Sequence, residues 1–104
     1  MFDKNYKLRF LPIFYKDLSS VVSYIANELN SPLAAKRFID EVESAINKRL
    51  GAPKAYEQYK SVKNRKYPYY RIKVKNYYVF YVVIDDYMEV RRLIYSRRSL
   101  SKFI

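Results

Sequence analysis

The sequence predicts an α+β domain: an N-terminal strand, an α-helical hairpin, then an antiparallel three-strand meander, with the helices packed on one face of the sheet. Three observations carry this. Apolar residues alternate with a period of two near the start and again after residue 70, they recur at three- and four-residue steps between Phe14 and Leu50, and the two helical stretches are separated by only two or three residues. Residues 1–104 fit one domain, and a 50% hydrophobic share is enough to bury a core.

The first strand lies in YKLRFLP, where Tyr6, Leu8 and Phe10 alternate with Lys7 and Arg9, and Pro12 ends it. From Phe14 the period changes, and Phe14, Leu18, Val21 or Val22, Ile25 and Leu29 form one helical stripe with Asp17 near its start. Ser31 followed by Pro32 is a helix start, because the serine oxygen can accept from a free backbone amide and proline suits a first position that needs no donor. The second stripe is Ala35, Phe38 or Ile39, Val42, Ile46 and Leu50, and Gly51 is expected to supply a left-handed closing residue. So short a connection makes the two helices antiparallel, with one shared apolar face.

Residues 52–68, APKAYEQYKSVKNRKYP, show no clean period and read as a connecting loop that can order against the sheet. In YRIKVK, Ile72 and Val74 share one side, and Arg71, Lys73 and Lys75 share the other. A turn at Lys75-Asn76, with Asn tolerating positive φ, leads into YYVFYVVI, whose nearly continuous apolar run suits a central strand covered on both faces. Asp85-Asp86 turns the chain into MEVRRLIYS, where strict alternation sets Met88, Val90, Arg92 and Ile94 on one side and Arg91, Leu93 and Tyr95 on the other. The sheet face away from the helices is expected to be open.

Composition narrows the chemistry. The absence of cysteine and histidine excludes thiol nucleophiles, the usual zinc sites and the commonest general base. No acid pair and no phosphate-cradling glycine loop stands out, so no metal and no cofactor are expected. The first residues, MFDKNYKL, hold no apolar signal core, and no run approaches the roughly 20 residues of a membrane span, so the expectation is a cytoplasmic protein without a membrane partner. Net charge is +11: residues 1–51 hold eight Lys and Arg against six Asp and Glu, residues 52–104 thirteen against four. An excess concentrated in one half points to a polyanionic or acidic partner.

Two sets of residues are candidates for function. The cationic sheet face, Arg71, Lys73 and Lys75, is joined by Arg97 and Arg98 and by Lys63, Arg65 and Lys66 of the loop; such a cluster holds phosphates by charge. Among the tyrosines, Tyr78 and Tyr95 stand beside basic residues, where a ring can stack on an unpaired base or a phenol can move a proton.

The element order, the helix text SYIANELNSPLAAKRFIDEVESAI, the hairpin VKNYYVFYVV and the ending VRRLIYSRRSL resemble the RelE/ParE superfamily, toxins of type II toxin-antitoxin modules. NYYVFY and RRLIYSRR are its most specific parts, and the likeness spans nearly the whole chain. It implies a small basic toxin of the plasmid-stabilisation type that inhibits growth and is neutralised by a cognate antitoxin, which alone binds the operator DNA. It implies one of two targets: RelE-like members cleave mRNA in the ribosomal A site as metal-independent mRNA interferases, and ParE-like members inhibit DNA gyrase. Arg71, Lys73 and Arg98 match basic positions of the RelE-like nucleases, whereas Tyr78 stands where those enzymes carry an arginine. Cleavage by attack of a ribose 2′-OH needs a proton acceptor, which here falls to Tyr78, Tyr95 or a lysine. The YSRR ending is closer to ParE-like members, so gyrase is the expected target, with mRNA as the alternative and a non-toxic RNA-binding module as a further one.

Overall fold

The computed structural model describes residues 5–60 and 65–104. Strand β1 (Lys7–Phe10) is followed by helix α1 (Pro12–Ser23), a π-helical turn (Tyr24–Glu28) and helix α2 (Pro32–Leu50). Strands β2 (Gln58–Tyr59), β3 (Tyr69–Val74), β4 (Tyr77–Ile84) and β5 (Tyr87–Tyr95) come next, then a 3-10 turn, Leu100–Lys102. The five strands are ordered β1-β5-β4-β3-β2; the expected meander is its centre, β1 runs parallel to β5, and β2 adds a short antiparallel edge from within the region expected to be only a loop.

Local chemistry explains the helix ends. Pro12 not only ends β1 but opens α1 at its first turn, two residues before the apolar stripe begins. Ser31 Oγ accepts from the Ala34 amide at 3.3 Å and Pro32 follows it, as expected. Gly51 does not close α2 in a left-handed conformation, since its φ is −67°; the left-handed closure falls at the end of the first helix, at Asn30, with φ 51°. With Asn30 in that conformation the Ser31 amide reaches back to the Ile25 carbonyl at 3.2 Å, closing the hairpin tip in a Schellman-type turn. The π-helical turn inserts an extra residue ahead of Leu29 and rotates it off the buried stripe, so this leucine is 56% exposed.

Helices cover one sheet face. Phe14, Phe38, Val42 and Ile46 pack there on Ile72, Val74, Val79 and Tyr81. The opposite face is not left open: Tyr69, Phe80, Val82 and Ile94 make a second core with fully buried Ile104, flanked by Leu100 and Phe103. Residues 100–104 therefore lie across the face that was expected to be bare.

Strict alternation fails in β5. Phe80 pairs with Arg92 and Tyr81 with Val90, which leaves Arg91 as the extra residue of a β-bulge. The bulge resets the parity, so Met88, Val90 and Leu93 all join the helix-side core while Ile94 joins the second one. Beyond β1 the outer edge of β5 would be bare, and Asp17 of α1 closes it. Its carboxylate accepts from the Leu93 amide at 3.0 Å and from Arg92 Nε and Nη2 at 2.8 and 3.1 Å.

Candidate functional site

The pleat of β3 buries Ile72 and Val74 under the helices and exposes Arg71 and Lys73 on the other face. Register places Lys73 opposite Tyr78, and the Arg71 guanidinium is 4.5 Å from the Tyr78 ring and 4.8 Å from that of Tyr59 on β2. The Lys73 ammonium lies 5.5 Å from the same Tyr78 ring. Three of the residues selected from sequence thus form one patch, and Tyr59 completes it. Arginine held between two tyrosine faces stays charged and oriented, so this surface offers phosphates a fixed cation and offers unpaired bases an aromatic platform.

The bulge extends that face. Arg91 Nε bonds to Glu89 Oε2 at 2.8 Å and its Nη1 reaches the Tyr69 hydroxyl at 3.3 Å, while Arg9 Nε takes Glu89 Oε1 at 2.9 Å. Glu89 is the buried acid between two guanidiniums, and these contacts hold Arg91 strongly protonated against the cost of its burial. The Arg65 guanidinium is 5.7 Å from the Tyr69 ring and donates to the Ile104 carbonyl oxygen at 3.0 and 2.6 Å, and Lys66 stands 5.4 Å from the Tyr67 ring. Lys63 lies outside the described residues.

Other expected members go elsewhere. Lys75, not Asn76, takes the left-handed conformation of the β3–β4 turn (φ 54°), which swings its ammonium to Glu41 of α2 at 3.7 Å, on the helix side. Tyr95 packs against Tyr77 at 5.5 Å between ring centres, also on the helix side, so Tyr78 and Tyr95 occupy opposite faces. Arg98 stands 5.3 Å from the Phe103 ring and reaches a separate cleft with Tyr77 and Tyr95; Arg97 is exposed. The grouping expected from sequence therefore divides in two.

Tyr77 and Tyr81 have displaced ionisation. Burial raises the pKa of Tyr77, helped by Tyr24 and Tyr95 nearby. Burial also raises that of Tyr81, against the Arg49 hydrogen bond, which lowers it. Tyr81 accepts from Arg49 Nη1 at 3.0 Å and donates to the Pro53 carbonyl at 2.8 Å, tying the residues after α2 to the core. A raised phenol keeps its proton at neutral pH, so both act as donors rather than bases.

Sequence reasoning missed Tyr59, Arg91 and Arg9 as parts of the face. The paired arginines inside a strand, Arg91-Arg92, were the available signal, since two cations in succession on a two-sided strand suit a bulge.

A groove of about 430 Å³ runs between α2 and the outer edge of β3, with Glu41, Ser44, Lys48 and Arg49 on one wall and Lys73 and Lys75 on the other. Among the described residues β2 pairs only with Tyr69 and Tyr70, so the β3 edge beyond them carries no strand. Among the described residues no helix is long and apolar enough to cross a membrane.

A family model for the ParE toxin of the type II toxin-antitoxin system, parDE, matches residues 8–100. The chain belongs to the ParE toxin family. A curated-protein comparison finds no match. Among solved structures, this ParE-family toxin is similar to a chain of the chromosomal ParDE system from P. aeruginosa, with TM-score 0.71 at 9% identity, over 88% of this chain and 97% of that one. It is also similar to a chain of the archaeal RelE-RelB complex from Pyrococcus horikoshii OT3, with TM-score 0.54 at 18% identity, over 91% and 99%. A third is a chain of the RelB-RelE complex from Methanococcus jannaschii, with TM-score 0.51 at 24% identity, over 92% and 99%. At such identities the shared property is the fold, and it is the RelE/ParE-like one expected from the order of elements.

Proposed function

We propose that this type II toxin arrests growth by acting on DNA gyrase, in the cytoplasm, without metal or cofactor, and that a cognate antitoxin holds it inactive. The observation that carries the gyrase reading is the division of the proton carriers. Cleavage of RNA through its own 2′-OH needs an acceptor and a donor at one phosphate, beside cations. Here Tyr78 and Tyr59 stand beside Arg71, while Tyr95, the other expected carrier, lies on the far face and the Tyr69 hydroxyl accepts from Arg91. The family match and the nearer likeness to the ParDE chain support the same reading.

The test pairs two measurements. Purified toxin is expected to inhibit supercoiling by purified gyrase, and induced cells are expected to mount a DNA-damage response with intact mRNA. Rapid, codon-linked mRNA cleavage with unaffected gyrase would overturn it. That outcome belongs to the RelE-like alternative, a metal-independent ribosome-dependent nuclease, which the exposed Arg71–Lys73–Tyr78 patch favours.

For the antitoxin, the groove beside the β3 edge supports an extended acidic segment. Its backbone would continue the sheet as an added strand, and its carboxylates would meet Lys48, Arg49, Lys73 and Lys75. Operator DNA is then reached only through the antitoxin. Lys48→Glu with Lys75→Glu is expected to weaken antitoxin binding about tenfold or more, equal to at least about 1.4 kcal/mol, with most of the loss in the dissociation rate. Calorimetry and surface-capture kinetics read it, and unchanged affinity would place the antitoxin elsewhere.

A further inference from the structure

The helical hairpin tip faces the near ends of β4 and β5 across a cleft of about 670 Å³ that neither the cationic sheet face nor the β3-edge groove includes. Tyr24, Ile25 and Leu29 form one wall, and Asn76, Tyr77, Tyr95 and Arg98 form the other. Three large side chains that would be expected inside a small domain are displayed here instead: Tyr24, Leu29 and Tyr95 are 50%, 56% and 37% exposed. The π-helical turn is what presents Leu29, and π-helical insertions recur at functional sites. Apolar side chains displayed together beside an arginine match the centre of a protein interface, where tyrosine and arginine dominate the binding energy.

The polar groups define what fits. Tyr77 is held in place by an edge-on contact with Phe38, 5.3 Å between ring centres, and by the Tyr95 ring. Tyr24, Tyr77 and Tyr95 all line the cleft, and a protonated phenol donates. Arg98 adds a guanidinium: its backbone amide donates to the Tyr95 carbonyl at 3.0 Å, and its guanidinium lies 5.3 Å from the Phe103 ring. Donors above an aliphatic wall suit a carboxylate carried next to an apolar side chain. A polyphosphate backbone would be served by several cations and gains nothing from Leu29; the Arg71–Lys73 face suits it better.

We infer that this cleft is the surface by which the toxin docks on its protein target, and that its occupant is an acidic peptide segment with an apolar residue beside an Asp or Glu. The inference deepens the reading of a protein target and is separate from the antitoxin groove. Tyr24→Ala with Tyr95→Ala, and separately Arg98→Glu, test it in cells induced for the full-length toxin. Survivors after induction are expected to rise at least about tenfold for Tyr24→Ala with Tyr95→Ala and for Arg98→Glu, with Arg98→Lys retaining part of the arrest, because lysine keeps the charge but not the guanidinium over the Phe103 ring. Antitoxin affinity, measured on the same proteins, is expected to be unchanged; Tm is expected to hold for Arg98→Glu and to fall by a few degrees for the tyrosine pair, which loses the Tyr95–Tyr77 contact.

Arrest at the wild-type level would overturn the inference, and so would antitoxin binding lost in step with arrest, which would make the cleft part of the antitoxin interface. Binding of a single-stranded oligonucleotide by the wild type that Arg98→Glu abolishes, at physiological salt, would make it a nucleic-acid site instead and overturn it as well. The gyrase reading fails independently: if wild-type toxin leaves purified gyrase active while the cleft variants lose arrest, the cleft stands with another protein as its target.

Discussion

Replacing Asp17 with alanine is expected to destabilise the toxin by about 3–4 kcal/mol. One carboxylate serves three donors, two on Arg92 and the amide of Leu93, and both side chains of the pair are mostly shielded, with 20% and 16% of their surfaces exposed. Alanine leaves a poorly solvated guanidinium and an unpaired strand amide together, and each is costly on its own. For a domain of this size the loss corresponds to roughly 12–30 °C in Tm, read by thermal or urea unfolding. Asp17→Asn keeps an acceptor for Leu93 while removing the charge, so about half of the loss is expected. Equal losses in the two variants would show that the charge, and not closure of the strand edge, carries the effect.

Glu89→Gln is expected to cost about 2–3 kcal/mol, at or below the lower end of the range for breaking a buried pair. The reason for the lower end is Arg9, whose side chain is 40% exposed and can turn to water, whereas Arg91, at 26%, is less free. A double-mutant cycle isolates the pair: Arg91→Met added to Glu89→Gln should recover part of the stability, because it removes the cation that the first change strands. If the two losses simply add, the Glu89–Arg91 pair is not coupled and the expected cost is misassigned.

Local signals were legible in the sequence. The Ser31-Pro32 start of α2 and the alternation that buries Ile72 and Val74 while exposing Arg71 and Lys73 depend on neighbours a few residues away, and the structure has them as read. The resemblance carried the order of elements, and with it the family. What was not legible depends on partners far along the chain or on a single backbone angle. The bulge at Arg91 exists only against β4, and it moved Leu93 and Ile94 to faces that simple alternation assigns the other way. The left-handed turn at Lys75 took that lysine away from Arg71 and Lys73, and α2 ends at Gly51 without the expected left-handed residue, which stands instead at Asn30 after the first helix. Residues 100–104 gave no periodic signal, yet Ile104 is fully buried on the face expected to be open.

The pairing of β1 with β5 joins Lys7–Phe10 to residues 87–90, eighty positions later. During synthesis, therefore, the first strand has no β5 partner until residues 87–90 have been made, and long-range pairings of this kind are slow to form. Until β5 has been made the sheet is incomplete, without the edge that Asp17 closes and without Tyr95 and Arg98. The β5 edge and the cleft beside Tyr95 and Arg98 are therefore among the last parts of this fold to assemble.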